Sequence, residues 1–213
     1  MGLEKIAEKV IDPGESDAKL LYPKGNTQDI ITVIMMADAQ SDQYTAEFAK
    51  AFEDIHPVDQ CEDLYFFVQD NISYKEDPAG KQWIKSPSQL WTDKEGDCKS
   101  FSLFIGSVLK NLGIPFIYRF AGYDAGGDVT HVYVVAYPDG EEIIMDAVPP
   151  MTYNEEAEGF KKTINKQPAA VSGLLQNTNS PEVIRSSRVR GVESPLTPLL
   201  WILGIGAILF LRK

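Results

Sequence analysis

The strongest periodicity in the chain lies between residues 97 and 113. Phe101, Phe104, Ile105, Val108, Leu109 and Leu112 recur at steps of three and four, the signature of a helix with a buried face. Asp97 is a good N-cap for it, and Gly113 followed by Pro115 is a good stop. Residues 58–71 predict a second helix, with Cys61, Leu64, Tyr65 and Val68 on one side, and residues 43–55 predict a shorter one. Residues 29–36 read equally as a strand or as the start of a helix. After Pro115 the period changes. Residues 115–122, 131–137 and 142–146 read as strands, and Pro138-Asp139-Gly140 supplies the turn between the last two. A core helix followed by several antiparallel strands predicts an α+β fold.

The ends are patterned differently. Residues 1–28 contain two turn signals, Asp12-Pro13-Gly14 and Tyr22-Pro23-Lys24-Gly25, and predict an extended or loosely packed arm. The dense pattern of residues 29–154 marks the domain. Residues 155–194 are rich in Asn, Ser, Gln, Pro, Glu and Lys and predict a flexible tether. Residues 195–213 predict a single C-terminal transmembrane anchor, because no charge falls between Ser194 and Leu211. Those residues would form a helix about 27 Å long, against a hydrocarbon core of about 30 Å. Trp201 suits one interface, and Arg212 and Lys213 can snorkel at the other. The start of the chain, amphipathic and charged, is not expected to act as a secretory signal.

Composition narrows the classes. Of the 213 residues, 44% are hydrophobic, too many for a wholly disordered chain. Asp and Glu number 31 against 20 Lys and Arg, a net charge of −11, which argues against a nucleic-acid partner. The charge is uneven, at −14 over residues 1–150 and +3 over residues 151–213. Arg185, Arg188 and Arg190, just before the apolar run, could meet anionic lipid headgroups. Two cysteines, Cys61 and Cys98, cannot form a disulfide framework.

Cys98 sits in the first turn of the core helix, where free N–H groups and the helix dipole favour a thiolate. His131 opens the strand of residues 131–137, and Asp146 closes the return strand. A four-residue loop at residues 137–140 would set Ala136 opposite Glu141 and His131 opposite Asp146. Opposed residues share a face, with Cβ atoms about 5 Å apart. Asp146 could then hold one imidazole nitrogen and leave the other for Cys98. A one-residue slip would spoil the pairing. Cys61 reads as core, and His56, before Pro57, as a solvated or capping residue. Asp124 and Asp128 read as turn residues flanking Ala125-Gly126-Gly127. A zinc site from Cys61, His56, Cys98 and His131 matches no common spacing, so neither metal nor cofactor is expected.

These residues carry a resemblance. Trp91 to Ser102, with Gly96-Asp97-Cys98 opening a helix, resembles the nucleophile motif of the transglutaminase-like superfamily. Leu112-Gly113-Ile114-Pro115 is similar to its helix exit, and His131-Val132-Tyr133-Val134 and Ile143-Ile144-Met145-Asp146-Ala147 to its His and Asp strands. Val68 to Tyr74 resembles the helix-to-strand segment upstream. The resemblance covers residues 50–150. It implies a papain-like fold, with the helix carrying the cysteine packed on an antiparallel sheet, and a triad of Cys98 as nucleophile, His131 as base and Asp146 as orienter. The Cys98 N–H would help bind the oxyanion, with Gln82, Trp83 or Trp91 as side-chain donor. The expected function is a membrane-anchored thiol enzyme cleaving or transferring amide bonds through a thioester, a cysteine peptidase before a crosslinking transglutaminase. A catalytically idle binding or assembly module is the rival. The expected partners are a protein or peptide substrate and, through the C-terminal helix, membrane lipid. A bacterial inner membrane and a viral membrane component both fit that anchor.

Overall fold

The computed structural model describes residues 2–13, 19–20, 26–78 and 81–168. The chain opens with α1 (Leu3–Val10), where Leu3, Ile6, Ala7 and Val10 fall at helical spacing. Ala7 and Ile11 are buried in the main core, so this part of the expected loose arm docks on the domain. A short β1 (Lys19–Leu20) follows. Next comes α2 (Thr27–Asp38), which settles residues 29–36 as helix. Its start is written locally. The Asn26 side chain accepts the Asp29 N–H at 3.0 Å while the Asp29 carboxylate accepts the Asn26 N–H at 3.1 Å, a reciprocal cap.

The helix expected over residues 43–55 is instead three short pieces. They are a 3₁₀ turn at Asp42–Tyr44, α3 (Ala46–Ala49) and a second 3₁₀ turn at Lys50–Phe52. Phe48 and Phe52 still reach the core, their rings edge to face at 5.3 Å. α4 (Pro57–Asn71) starts at a proline and is capped by His56, whose Nδ1 accepts the Val58 N–H at 3.4 Å. β2 (Ser73–Tyr74), β3 (Trp83–Ile84), α5 (Pro87–Asp93) and β4 (Glu95–Gly96) lead to α6 (Cys98–Leu112). β3 pairs with β1, and β4 runs parallel to β2.

α6 is the axis of the fold. Every residue from Cys98 to Leu109 is buried, between α2 to α5 on one side and the sheet on the other. Gly113 ends it in the left-handed region, φ +69°, where glycine has no Cβ to clash. The sheet is built from β5 (Phe116–Gly122), β6 (His131–Ala136), β7 (Ile143–Met145) and β8 (Lys162–Lys166), in the antiparallel order β7-β6-β5-β8. β8 lies within the segment expected as a tether. Residues 162–166 pair with residues 118–122, so the domain continues at least to Lys166. The long polar side chains that suggested a linker belong to a half-exposed edge strand, which needs apolar residues on one face only.

The architecture is α+β, with a buried helix on an antiparallel sheet. Among the described residues no helix is long and apolar enough to cross a membrane. The expected anchor at 195–213 and most of the expected tether lie outside the described residues.

α6 and β5 approach closely at Gly106. A Cβ there would run into the Tyr118 hydroxyl and sit 3.0 Å from Phe116. Tyr118 is fully buried and cannot swing away, because its hydroxyl donates to Asp38 Oδ1 at 2.8 Å. Gly106→Ala is therefore expected to lower stability by about 1–3 kcal/mol, the usual cost of overpacking. Thermal denaturation checks this; a melting temperature equal to wild type would contradict the packing described.

Candidate active site

Asp97 ends the short β4 connection and caps α6. Its carboxylate accepts the N–H groups of Lys99 at 3.1 Å and Ser100 at 3.2 Å, and its carbonyl accepts that of Phe101 at 3.0 Å. Of the first-turn donors, this leaves the Cys98 N–H outside the cap. Asp97 is buried and paired with the Lys99 ammonium, which also lies 3.2 Å from Asp77 Oδ2. Burial works against the charge on Lys99, but Asp97, then Cys98 and Asp77, outweigh it and hold the pKa above its ordinary value. Cys98 thus stands at a helix start whose cap is itself neutralised. Its residue is 8% exposed.

His131 is the first residue of β6, and Asp146 follows directly on β7. Nε2 of His131 lies 2.6 Å from Oδ2 of Asp146, whose other oxygen accepts the Val148 N–H at 3.4 Å. The side chains are 15% and 2% exposed, so the ion pair is shielded from water. Cys98 lies near enough to the same imidazole to influence its charge, and Asp146, held through Nε2, leaves Nδ1 unengaged by the carboxylate. Burial works against charge on His131. The Asp146 hydrogen bond, and then Cys98, outweigh it and raise the pKa to about 10. Ser102 Oγ donates to the Val132 carbonyl at 3.0 Å, tying α6 to β6 one turn from Cys98 and one residue from His131.

His131 and Asp146 therefore meet, with Cys98 near the imidazole, although the hairpin register differs from the expected one. Ala136 faces Ile143, not Glu141, so the loop spans residues 137–142 and contains a 3₁₀ turn at Pro138–Gly140. The shift is two residues. An even shift keeps every side chain on its face, so Asp146 reaches His131 diagonally.

Among the expected side-chain oxyanion donors, Trp91 is in the core, stacked on Phe67 at 5.2 Å. Trp83 lines a cavity of about 380 Å³ with Asp77, Lys85, Gly96 and Asp97, beside the start of α6. Gln82 is half-buried. Two neighbours of the site had no signal in the sequence. Tyr74, opposite Gly96 across the β2–β4 pair, is held above the usual phenol range by burial and then by Cys98. Phe160 stacks on His131 at 6.1 Å.

Cys61 is fully buried, and burial pushes its thiol up to about 12. Asp124 accepts the Gly126 N–H and Asp128 accepts from Thr27, as turn and tertiary contacts. Among the described residues no group of three or more His, Cys, Asp or Glu could hold a metal.

Comparison with known proteins places this architecture. Residues 43–147 match the transglutaminase-like superfamily. Three solved structures are similar at low identity. A "putative protease" from Parabacteroides distasonis is 14% identical with a TM-score of 0.47, over 61% of this chain and 30% of its own. A "putative cysteine protease" from Cytophaga hutchinsonii is 21% identical with a TM-score of 0.48, over 73% of this chain and 56% of its own. LapG of Legionella pneumophila is 19% identical with a TM-score of 0.43, over 62% and 78%. The chain spans less than a third of the first and little more than half of the second. No curated protein matches it.

The raised His131 pKa links protonation to folding. A folded value of about 10 above the ordinary 6.5 means the imidazolium stabilises the fold fully below pH 6.5. That contribution is lost as pH rises from 6.5 to about 10. The wild-type melting temperature should fall across this window, and His131→Gln, which can still bond Asp146, should fall less. Equal slopes in the two proteins would contradict the assignment.

Proposed function

We propose that this chain is a cysteine peptidase or amidase that cleaves an amide bond through a Cys98-His131-Asp146 triad. The observation that carries the reading is the 2.6 Å bond from His131 to the buried Asp146, with Cys98 near the same imidazole at the start of α6. A hydrogen-bonded base, its orienter and a nucleophile at a helix N-terminus are the parts that acyl transfer through a thiol requires. The match of residues 43–147 to the transglutaminase-like superfamily supports it.

The steps follow from the charges. With the proton on His131, Cys98 attacks the substrate carbonyl carbon as a thiolate. The oxyanion forms beside the Cys98 N–H, the first-turn donor that Asp97 leaves unused. The imidazolium passes its proton to the amine nitrogen as the C–N bond breaks, leaving a thioester on Cys98. His131, now neutral, takes a proton from water. The hydroxide attacks the thioester carbon, and Cys98 departs as thiolate with the proton back on His131. Asp146 stays ionised and stabilises each imidazolium stage. An amine in place of water would give transfer, so the products distinguish the two outcomes.

The direct test is a comparison of peptide termini and isopeptide links in candidate lysates treated with active protein and with Cys98→Ala. New termini that depend on Cys98 support hydrolysis. New isopeptide links would replace it with crosslinking, and neither product would favour a binding module. On any substrate so found, Asp146→Asn should lower turnover by about a hundredfold or more with the fold retained. Unchanged turnover would remove Asp146 from the triad.

We further propose that the apolar run at residues 199–211 anchors the domain to a membrane, for the reasons of length and flanking charge given above. Carbonate extraction of the full chain should leave it in the pellet, while truncation after Arg190 should release a folded monomer. Free extraction of the full chain would contradict the anchor.

A further inference from the structure

The superfamily match ends at residue 147, but the chain does not leave the site there. Residues 148–153 still pack on the main core beside α4, Asn154 pairs with Ile144 at the edge of β7, and Glu156 and Phe160 then reach the other face of the sheet before the chain enters β8. That face carries a small second cluster of Ile117, Ala121, Tyr133 and Val135, and Phe160 packs against it. Ala121 lies directly opposite His131 across β5–β6. Its side chain is a single methyl, in the cluster against which Phe160 packs.

Local backbone delivers that ring. Gly159 sits at φ +91°, in the left-handed region that glycine adopts without strain. The next N–H but one, that of Lys161, donates to the Gly122 carbonyl at 2.9 Å and begins the pairing of β8 with β5. Phe160 is held between these two points. Its ring is nearly parallel to that of His131, 21° at 6.1 Å, and to that of Tyr133, 18° at 6.1 Å. His131 and Tyr133 are themselves 30° apart at 5.6 Å. Tyr123 packs on the outer side of Phe160 at 5.0 Å. Tyr133 is fixed in turn. Its hydroxyl bonds Glu156, which pairs with Arg119 at 2.9 Å, and Arg119 also reaches Glu142 at 3.2 Å.

We propose that Phe160 is a positioning residue for His131: with Tyr133 it forms an aromatic wall that keeps the imidazole against Asp146 and favours its protonated form. The physical basis is the negative face of an aromatic ring, which attracts a cation within about 6 Å of its centroid, more strongly where water is excluded. The charged and titratable groups around His131 are Asp146 after β7, Cys98 on α6 and Tyr133 on its own strand. Beyond Tyr133 lie Arg119 on β5, whose guanidinium is 6.0 Å from that ring, and Glu156 before β8. Arg119 and Glu156 pair with each other, so Asp146, Cys98 and the aromatic wall set the protonation of the imidazole.

The proposal rests on the triad reading, but its test does not need turnover. The full chain carrying ¹³C at the histidine Cε1 positions is titrated by NMR, with the His56 signal identified by its loss in His56→Gln. Phe160→Leu keeps an apolar side chain of similar bulk and deletes the aromatic face. Its His131 midpoint should drop by about one pH unit. Phe160→Tyr should stay within about 0.3 unit of wild type, and Phe160→Trp, with the strongest ring, should rise by about 0.5 unit. A ring that merely filled space would lower the melting temperature of Phe160→Leu and leave the midpoint in place, which would overturn the proposal. Should Phe160→Leu fail to fold, Phe160→Trp decides, and a midpoint unchanged or lowered there also overturns it. Absence of Cys98-dependent products in wild type would remove the peptidase reading and leave this titration standing.

Discussion

A helix enclosed by protein on every side cannot use water to satisfy its first N–H groups, and α6 is such a helix from Cys98 to Leu109. The constraint runs outward from there. Asp97 caps the helix with its carboxylate and its carbonyl. A buried carboxylate needs a counter-charge, and Lys99 supplies it, shared with Asp77 from the loop after β2. The residues on either side of Cys98 are thereby committed to each other. The cysteine is left between them, beside His131 and with its N–H outside the cap. The same burial makes α6 a fixed reference for the sheet. Ser102 holds the Val132 carbonyl, Gly106 lets β5 come close, and the Asp38-Tyr118-Lys110 contacts lock the far end to α2.

On the sheet the decisive contact is between two side chains that would each be poorly placed alone. Asp146 is 2% exposed, and an isolated carboxylate there would be strongly disfavoured. His131, equally, would lose its proton to burial. Together they hold an imidazolium up to a pH of about 10, next to a thiol. The arrangement keeps a proton on the imidazole beside Cys98, which is what the proposed thiolate mechanism calls for. Cys61, buried in α4, has no base beside it among the described residues, and its thiol is pushed up to about 12.

Much of this was legible without coordinates because it is written in local signals. The Asp97 cap, the Gly113 stop and the apolar steps of α6 each depend on residues within a few positions of one another. The same is true of His56 before Pro57, which caps α4. The pairing of His131 with Asp146 was legible for a subtler reason. The loop is two residues longer than the turn signal implies, and period-two geometry forgives an even difference where an odd one would have turned Asp146 away. What stayed hidden was non-local. β8 has too few apolar residues to announce itself, and its identity as a strand comes from the open edge of β5. The docking of α1 was masked by the turn signals after it, although Leu3, Ile6, Ala7 and Val10 carry the spacing. Residues 43–55 hold good apolar positions, but nothing in their order reveals the two 3₁₀ turns that redirect the chain. Phe160 and Tyr74 reach the site only through the fold, and no short motif contains either one with Cys98.

The central claim is that the fold activates one of two cysteines, and a single competition tests it. The native full chain is treated with limiting iodoacetamide near neutral pH, and the carbamidomethyl fraction at Cys98 and Cys61 is read by peptide mass spectrometry. The account predicts that Cys98 is alkylated at least a hundredfold faster than Cys61, and that His131→Ala abolishes most of the difference. Slow labelling of both cysteines at similar rates, in a protein shown to be folded, would contradict it.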